Sequence, residues 1–168
     1  MGAESEPVEV VDDEDRVVRV VTRAEMRAER LLHRAVAIAV LSSDGRLLVH
    51  RRAGHKDIWP GMWDVAAGGV VGVGESYEEA AARELREELG IATTSWWPLG
   101  AGRFEDESVA LLGRSCAVVH DGPFTFDDGE IDEVRWVTRA EFDRMRTEER
   151  FVPDNLQLVV PFLGTEWR

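Results

Sequence analysis

Residues 69–91 read GVVGVGESYEEAAARELREELGI, and the rest of the chain can be interpreted outward from them. The first part is a glycine-rich turn. The second, 76–89, has a helix-forming composition, and Gly90 is positioned to cap its C-terminus. At about 100° per residue, with Glu84 as origin, Glu87 falls about 60° to one side and Glu88 about 40° to the other. Ala81, Ala82, Leu85 and Leu89 lie between about 60° and about 160°, an apolar face able to dock on a sheet. Three carboxylates thus share one strip, where like charges repel. A cation lying over the strip reverses that cost. Arg83, about 100° from Glu84, stands off the strip. A merely soluble Glu/Arg helix would have no need of Gly69 and Glu75 upstream.

On the N-terminal side, residues 7–21 read as two short strands around the turn Asp12-Asp13-Glu14-Asp15. Thr22 with Glu25 forms a capping-box signature for a helix reaching about Leu32. Runs 34–42 and 46–52 are apolar strands separated by the hairpin signal Ser43-Asp44-Gly45. A loop, 53–62, precedes a strand near 63–71. On the C-terminal side, strands are predicted near 95–104, 109–120 and 131–138. Helices are predicted at about 139–147, opened by Thr138 and Glu141, and from an Asp154 cap to about Leu163. About eight strands with interspersed helices give an α/β (α+β) class, a mixed β-sheet sandwiched between helices, with an N-terminal strand pair. No repeat or linker divides the chain. One domain over 1–168 is expected, its core about 33–163, with 1–32 forming the N-terminal hairpin and short helix.

Composition narrows the function. The chain has 168 residues, 44% hydrophobic and 32% charged, which is a globular balance. No apolar run approaches the roughly 20 residues of a membrane span. The acidic N-terminus, MGAESEPVEVVDDEDR, is unlike a secretory signal, so a cytoplasmic location is expected. The single cysteine, Cys116, excludes an intrachain disulfide and a cysteine zinc cage, and its apolar neighbours make it a small core residue. A net charge of −13 argues against a nucleic-acid backbone as partner. It suits a site that gathers hard cations.

Gly69, five residues, Glu75, seven residues, Arg83-Glu84-Leu85, one residue, Glu87-Glu88, one residue and Gly90-Ile91 form the complete Nudix box. The chain therefore resembles the Nudix hydrolases. The resemblance implies the Nudix fold and a small phosphorylated substrate. It also implies Mg²⁺ or Mn²⁺ held by Glu84, Glu87, Glu88 and the Gly69 carbonyl, with Glu75 and Arg83 structural. The protein would act as a monomer or homodimer. Outside the box, His33-Arg34-Ala35, Leu47-Leu48-Val49, Arg51-Arg52, Lys56 and Pro60-Gly61-Met62-Trp63 resemble the isopentenyl-diphosphate isomerase branch of that superfamily. Aligned on it, however, the isomerases' catalytic cysteine falls on Gly68 and a metal-binding histidine on Val70, while later glutamates fall near Leu112 and Arg114. A hydrolase is expected in place of an isomerase.

By the same resemblance, Arg52 and Lys56 would contact phosphate, Arg in bidentate fashion and Lys as a point charge. Glu130, six residues before Trp136, matches a loop glutamate that serves as general base in triphosphate-cleaving members. Glu105 and Glu107 are its rivals. The catalytic set is then Glu87, Glu88 and Glu130. His33 matches a metal ligand of the isomerases but lacks its partners, so a hydrogen-bonded histidine is expected. Trp63 and Trp136 are predicted core residues, whereas Trp59, Trp96 and Trp97 could wall a pocket. A non-catalytic nucleotide-binding protein on the same scaffold is a third reading, against which stands the complete set of box glutamates.

Overall fold

The computed structural model describes residues 2–168. In chain order, the described residues form β1 (Pro7–Val11), β2 (Val17–Thr22), α1 (Arg23–Ala28), β3 (His33–Leu41), β4 (Leu47–Arg52), β5 (Trp63–Asp64) and β6 (Ala67–Val70). There follow α2 (Tyr77–Leu89), β7 (Trp96–Glu105), β8 (Ala110–Val119), β9 (Ile131–Val137), α3 (Arg139–Glu148) and α4 (Pro153–Leu158).

Strand β3 organises the molecule because it is apolar on both faces. Its alternating side chains enter two cores. Val36, Ile38 and Val40 pack with Ala80, Ala81, Leu85 and Leu89 of α2. Ala37, Ala39 and Leu41 pack with Phe142 and Met145 of α3, together with Val159 and Leu163. A strand covered on both faces reads as a continuous hydrophobic run, as residues 34–42 do. The expected sandwich of a mixed sheet between helices is therefore observed. Strand β3 pairs antiparallel with β6 and parallel with β8. Strand β8 pairs with β7, β4 pairs antiparallel with β5 and β9, and the β1–β2 hairpin joins β3 through Val10 and His33.

Several boundaries differ from expectation. The described residues hold nine strands, since the run expected near 63–71 breaks in two. Asp64 Oδ1 accepts the Ala66 N–H at 3.2 Å, a local turn that competes with a continuous ladder. Helix α1 stops at Ala28 instead of about Leu32, although Thr22 caps it as expected by accepting the Glu25 N–H. Asp154 is not the cap of the last helix. Pro153 occupies the first turn of α4, where its missing N–H costs nothing. The helix ends at Leu158, ahead of a 3₁₀ turn, Val160–Phe162, that contains Pro161.

Helix α2 has a start that the sequence reading did not identify. Ser76 accepts the Glu79 N–H, and the Glu79 carboxylate accepts the Ser76 N–H at 2.8 Å, a full capping box. Gly90 closes the helix in the left-handed region, φ +68°. Ser76→Ala should cost about 1 kcal/mol. Thermal denaturation should show a fall of about 2–4 °C for a chain of this size.

Candidate active site

Arg83 pins the turn to the helix. Its Nε donates to Glu75 Oε1 at 2.9 Å, and its Nη2 donates to Glu75 Oε2 at 3.0 Å and to the Val70 carbonyl at 3.1 Å. Glu75 Oε2 also accepts the Gly72 N–H at 2.8 Å. The forked guanidinium fits a carboxylate in this way, and it holds the Glu75 carboxyl below the usual range. Glu75 and Arg83 thus form an ion pair that ties the turn to the helix.

The acidic strip is more buried than a helical wheel alone implies. Glu84 and Glu88 are buried, Glu88 to 4% exposure, whereas Glu87 is exposed. Glu84 lies against Gly69, where an added Cβ would stand 2.4 Å from Glu84 Oε1. Only glycine allows that approach. Burial raises the Glu84 carboxyl pKa, and the neighbouring Arg83 partly opposes the rise. Glu88 is pushed well above the ordinary carboxylate range, first by burial and then by the charge of Glu84. Lys56 and the Gly68 N–H, which donates to Glu88 Oε2 at 3.2 Å, pull in the other direction. Among the described residues, no three acidic, imidazole or thiol side chains converge as a metal cage. Arg83 Nη1 instead bridges Glu84 Oε1 at 2.6 Å and Glu87 Oε2 at 3.2 Å. It is the counter-charge the strip finds within the chain, a role that the helical wheel did not reveal.

Glu130, just ahead of β9, joins the same site. It is ion-paired with Lys56, and its charge contributes to the upward shifts of both Glu84 and Glu88. Glu105 is held instead by Arg103 at 2.8 Å and Arg30 at 3.2 Å. An open cleft is lined by the turn 68–75 together with Glu84, Glu87, Lys56 and Glu130. Glu105 and Glu107 are not among its walls.

Behind Gly68 and Gly69 lies a smaller cavity. Arg52 lines it and points Nη2 at the Ile58 carbonyl, 3.1 Å away. His33 also lines it, but as a buried neutral imidazole. Burial lowers its pKa to about 4, and Nδ1 donates to the Leu31 carbonyl at 2.9 Å. Six further polar residues in this wall, Arg23, Arg27, Asp57, Asp64, Asp154 and Asn155, were not identified as site residues from the sequence. Asp154 was expected there only as a helix cap. The Asp154 carboxyl is raised to about 7 by burial and then by the charge of Asp64. Trp63 is core, as expected. Trp59 lines the cavity with its backbone at φ +48° and its ring edge-on to Phe104.

Comparison with known proteins agrees with this geometry. The NUDIX domain model matches residues 31–157. The chain is 43% identical over 150 residues to an uncharacterized Nudix hydrolase of Yersinia pestis, covering 89% of this chain and 81% of that protein. It is 41% identical over 155 residues to the uncharacterized Nudix hydrolase YfcD of Escherichia coli K12, covering 92% and 85%. In three dimensions it resembles the crystal structure of DR0079 from Deinococcus radiodurans. That comparison has a TM-score of 0.80 and 30% identity, and covers 95% of this chain and all of that one.

Proposed function

The chain belongs to the Nudix family of hydrolases, and on that premise we propose that it is a divalent-metal-dependent enzyme. Its reaction would be cleavage of a phosphoanhydride bond in a nucleoside diphosphate derivative or similar small diphosphate. The observation that carries this reading is the buried pair Glu84 and Glu88 packed against the Gly69–Gly68 backbone. Two buried like charges are costly unless something of opposite charge reaches them. Carboxylates and a peptide carbonyl form an all-oxygen donor set, which suits a hard cation such as Mg²⁺ or Mn²⁺. Glu84, Glu87, Glu88 and the Gly69 carbonyl would hold it. When bound, such an ion neutralises phosphate charge and acidifies a coordinated water.

The remaining roles belong to the chain's own side chains. Glu130 takes the proton of the attacking water, and its ion pair with Lys56 orients it. Lys56 and Arg52 hold phosphate oxygens. Glu75 and Arg83 keep the turn and helix in register.

Within the family we assign the chain to isomerase-like members that kept the hydrolytic box. Gly68 supports the hydrolase reading over the isomerase, because a Cβ there would lie 2.0 Å from the Val36 carbonyl oxygen. A catalytic cysteine has no room. No helix among the described residues is long and apolar enough to cross a membrane, and we infer a cytoplasmic enzyme acting as monomer or homodimer.

The test is a panel of nucleotide sugars, dinucleotides, nucleoside di- and triphosphates and non-nucleotide diphosphates. Release of phosphate or nucleotide is measured with Mg²⁺, Mn²⁺ or chelator. Turnover should require the ion. Tight binding with no product under either metal would replace this reading with that of a nucleotide-binding protein.

A further inference from the structure

The small cavity behind Gly68 and Gly69 has a volume of about 80 Å³ and shares Arg23, Arg27, Lys56, Asp57 and the Gly68–Val70 backbone with the open cleft. Pockets for whole drug-sized ligands run to about 300–1,000 Å³. By that measure the cavity is too small for a nucleoside, yet it has room for several waters or one phosphoryl group.

Its charge is more telling than its size. Arg23, Arg27, Arg52 and Lys56 all line it. The side chains of Arg52 and Lys56 are each only 12% exposed. Asp57 pairs with Arg27 at 2.9 Å and more loosely with Arg23 at 3.8 Å. Asp64 accepts from Asn155 Nδ2 at 2.8 Å and stands 3.8 Å from Arg52. Arg52 Nε is buried with no hydrogen-bond partner among the described residues. A buried donor of a cation is costly when unpaired. Asp154 lines the cavity as a third carboxylate, Lys56 is paired with Glu130 and Arg23 with Glu6 at 3.3 Å, so the donor left unsatisfied is Arg52 Nε, beside a volume suited to a compact anion.

We propose that this cavity receives the terminal phosphate of the substrate while the rest of the molecule lies in the open cleft. The substrate class is then a diphosphate esterified at one end only, R–O–P–O–P with a free terminal phosphate. This deepens the hydrolase reading and rests on it. The oxygen of water forms a new bond to one phosphorus, and the bridging P–O bond breaks. The bridging oxygen leaves with the other phosphorus, and one proton passes to solvent. The products are R–O–PO₃ and orthophosphate, whichever phosphorus is attacked. A substrate capped at both ends would have to fit its second group into the same volume of about 80 Å³.

Two measurements test the assignment. The first compares kcat/KM with Mg²⁺ within matched pairs: ADP against ADP-ribose, UDP against UDP-glucose, CDP against CDP-choline. The one-ended member of at least one pair should be favoured at least 100-fold. The second measures binding of inorganic orthophosphate by calorimetry, without metal, to the wild type and to Arg27→Gln, Arg27→Lys and Arg23→Gln. Affinity should fall about tenfold in Arg27→Gln and recover in part in Arg27→Lys. Arg23→Gln, at the more exposed residue, gives a second reading should Arg27→Gln fold poorly. Equal turnover within the pairs, or phosphate binding that is absent or indifferent to these arginines, overturns the assignment and leaves the hydrolase reading intact. Arginine-dependent phosphate binding with no turnover of any pair does the reverse.

Discussion

Glu88→Gln should lower turnover about 1,000-fold while the folded protein keeps or gains thermal stability. The loss corresponds to about 4 kcal/mol of transition-state stabilisation. It follows from the position of Glu88, which is buried beside Glu84 and accepts from the Gly68 N–H at 3.2 Å. Glutamine is nearly isosteric and its carbonyl can still accept that hydrogen bond, so the fold is preserved. What disappears is the negative charge that a cation would need. Removing a charge that burial and Glu84 both oppose relieves the folded state of a cost.

The pH dependence of stability has a definite sign. The folded-state pKa of Glu88 lies well above the unfolded value, so the folded chain binds the proton more tightly. This contribution is fully present below the unfolded pKa. It is lost as pH rises from there through the folded pKa. Without divalent ions, wild type should lose stability relative to Glu88→Gln as pH rises from about 4.5 towards the raised pKa of Glu88. Urea denaturation at several pH values reads the difference, and differencing cancels oppositely shifted groups such as Asp57 and Glu75. Added Mg²⁺ should stabilise wild type more than the variant. Undiminished turnover in Glu88→Gln would remove Glu88 from the catalytic site.

What could be read from the sequence depended on whether a feature was local. The α2 helix, its Gly90 cap and the apolar β3 were legible because each follows from spacing along a few turns or one strand, whereas the roles of Glu75 and Arg83 came only from the resemblance. Glu130 could be nominated but not located. Only the pairing of β9 with β4 brings it against Lys56, 74 residues away. Of the cavity, only Arg52, Lys56, His33 and Trp59 had been singled out, and nothing showed that they share one wall. Its walls come from α1, β3, the 53–62 loop, the Gly68–Gly69 turn and α4, and no periodicity links these segments. The mistaken Asp154 cap has the same origin. An aspartate near a helix start is usually a cap, and only the approach of Asp64 from β5 shows that this one faces a charged interior. Arg83 as counter-charge to Glu84 and Glu87 was missed because a wheel places side chains by their Cα direction, whereas a long guanidinium can turn back across the strip.

Gly68→Cys should destabilise the fold by at least about 3 kcal/mol and still yield no isomerase. Gly68 lies in β6, directly opposite Ala37 of β3. A Cβ there would stand 2.0 Å from the Val36 carbonyl oxygen and 2.9 Å from its carbon. Both atoms are backbone, so no rotamer change can relieve the overlap, and β6 would have to move away from β3. That movement would drag Gly69 and the whole turn out of register with α2. Gly69→Ala offers a control. Its Cβ would meet Glu84 Oε1 at 2.4 Å, the end of a side chain that can swing aside. Gly69→Ala should therefore keep most of its stability while losing turnover, whereas Gly68→Cys should lose stability first. Urea unfolding of both variants separates the two effects, and isotope exchange on isopentenyl diphosphate reads the other chemistry directly. A Gly68→Cys protein as stable as wild type would show that the β3–β6 contact has slack. The missing cysteine would then no longer be a steric necessity, and the isomerase alternative would regain ground.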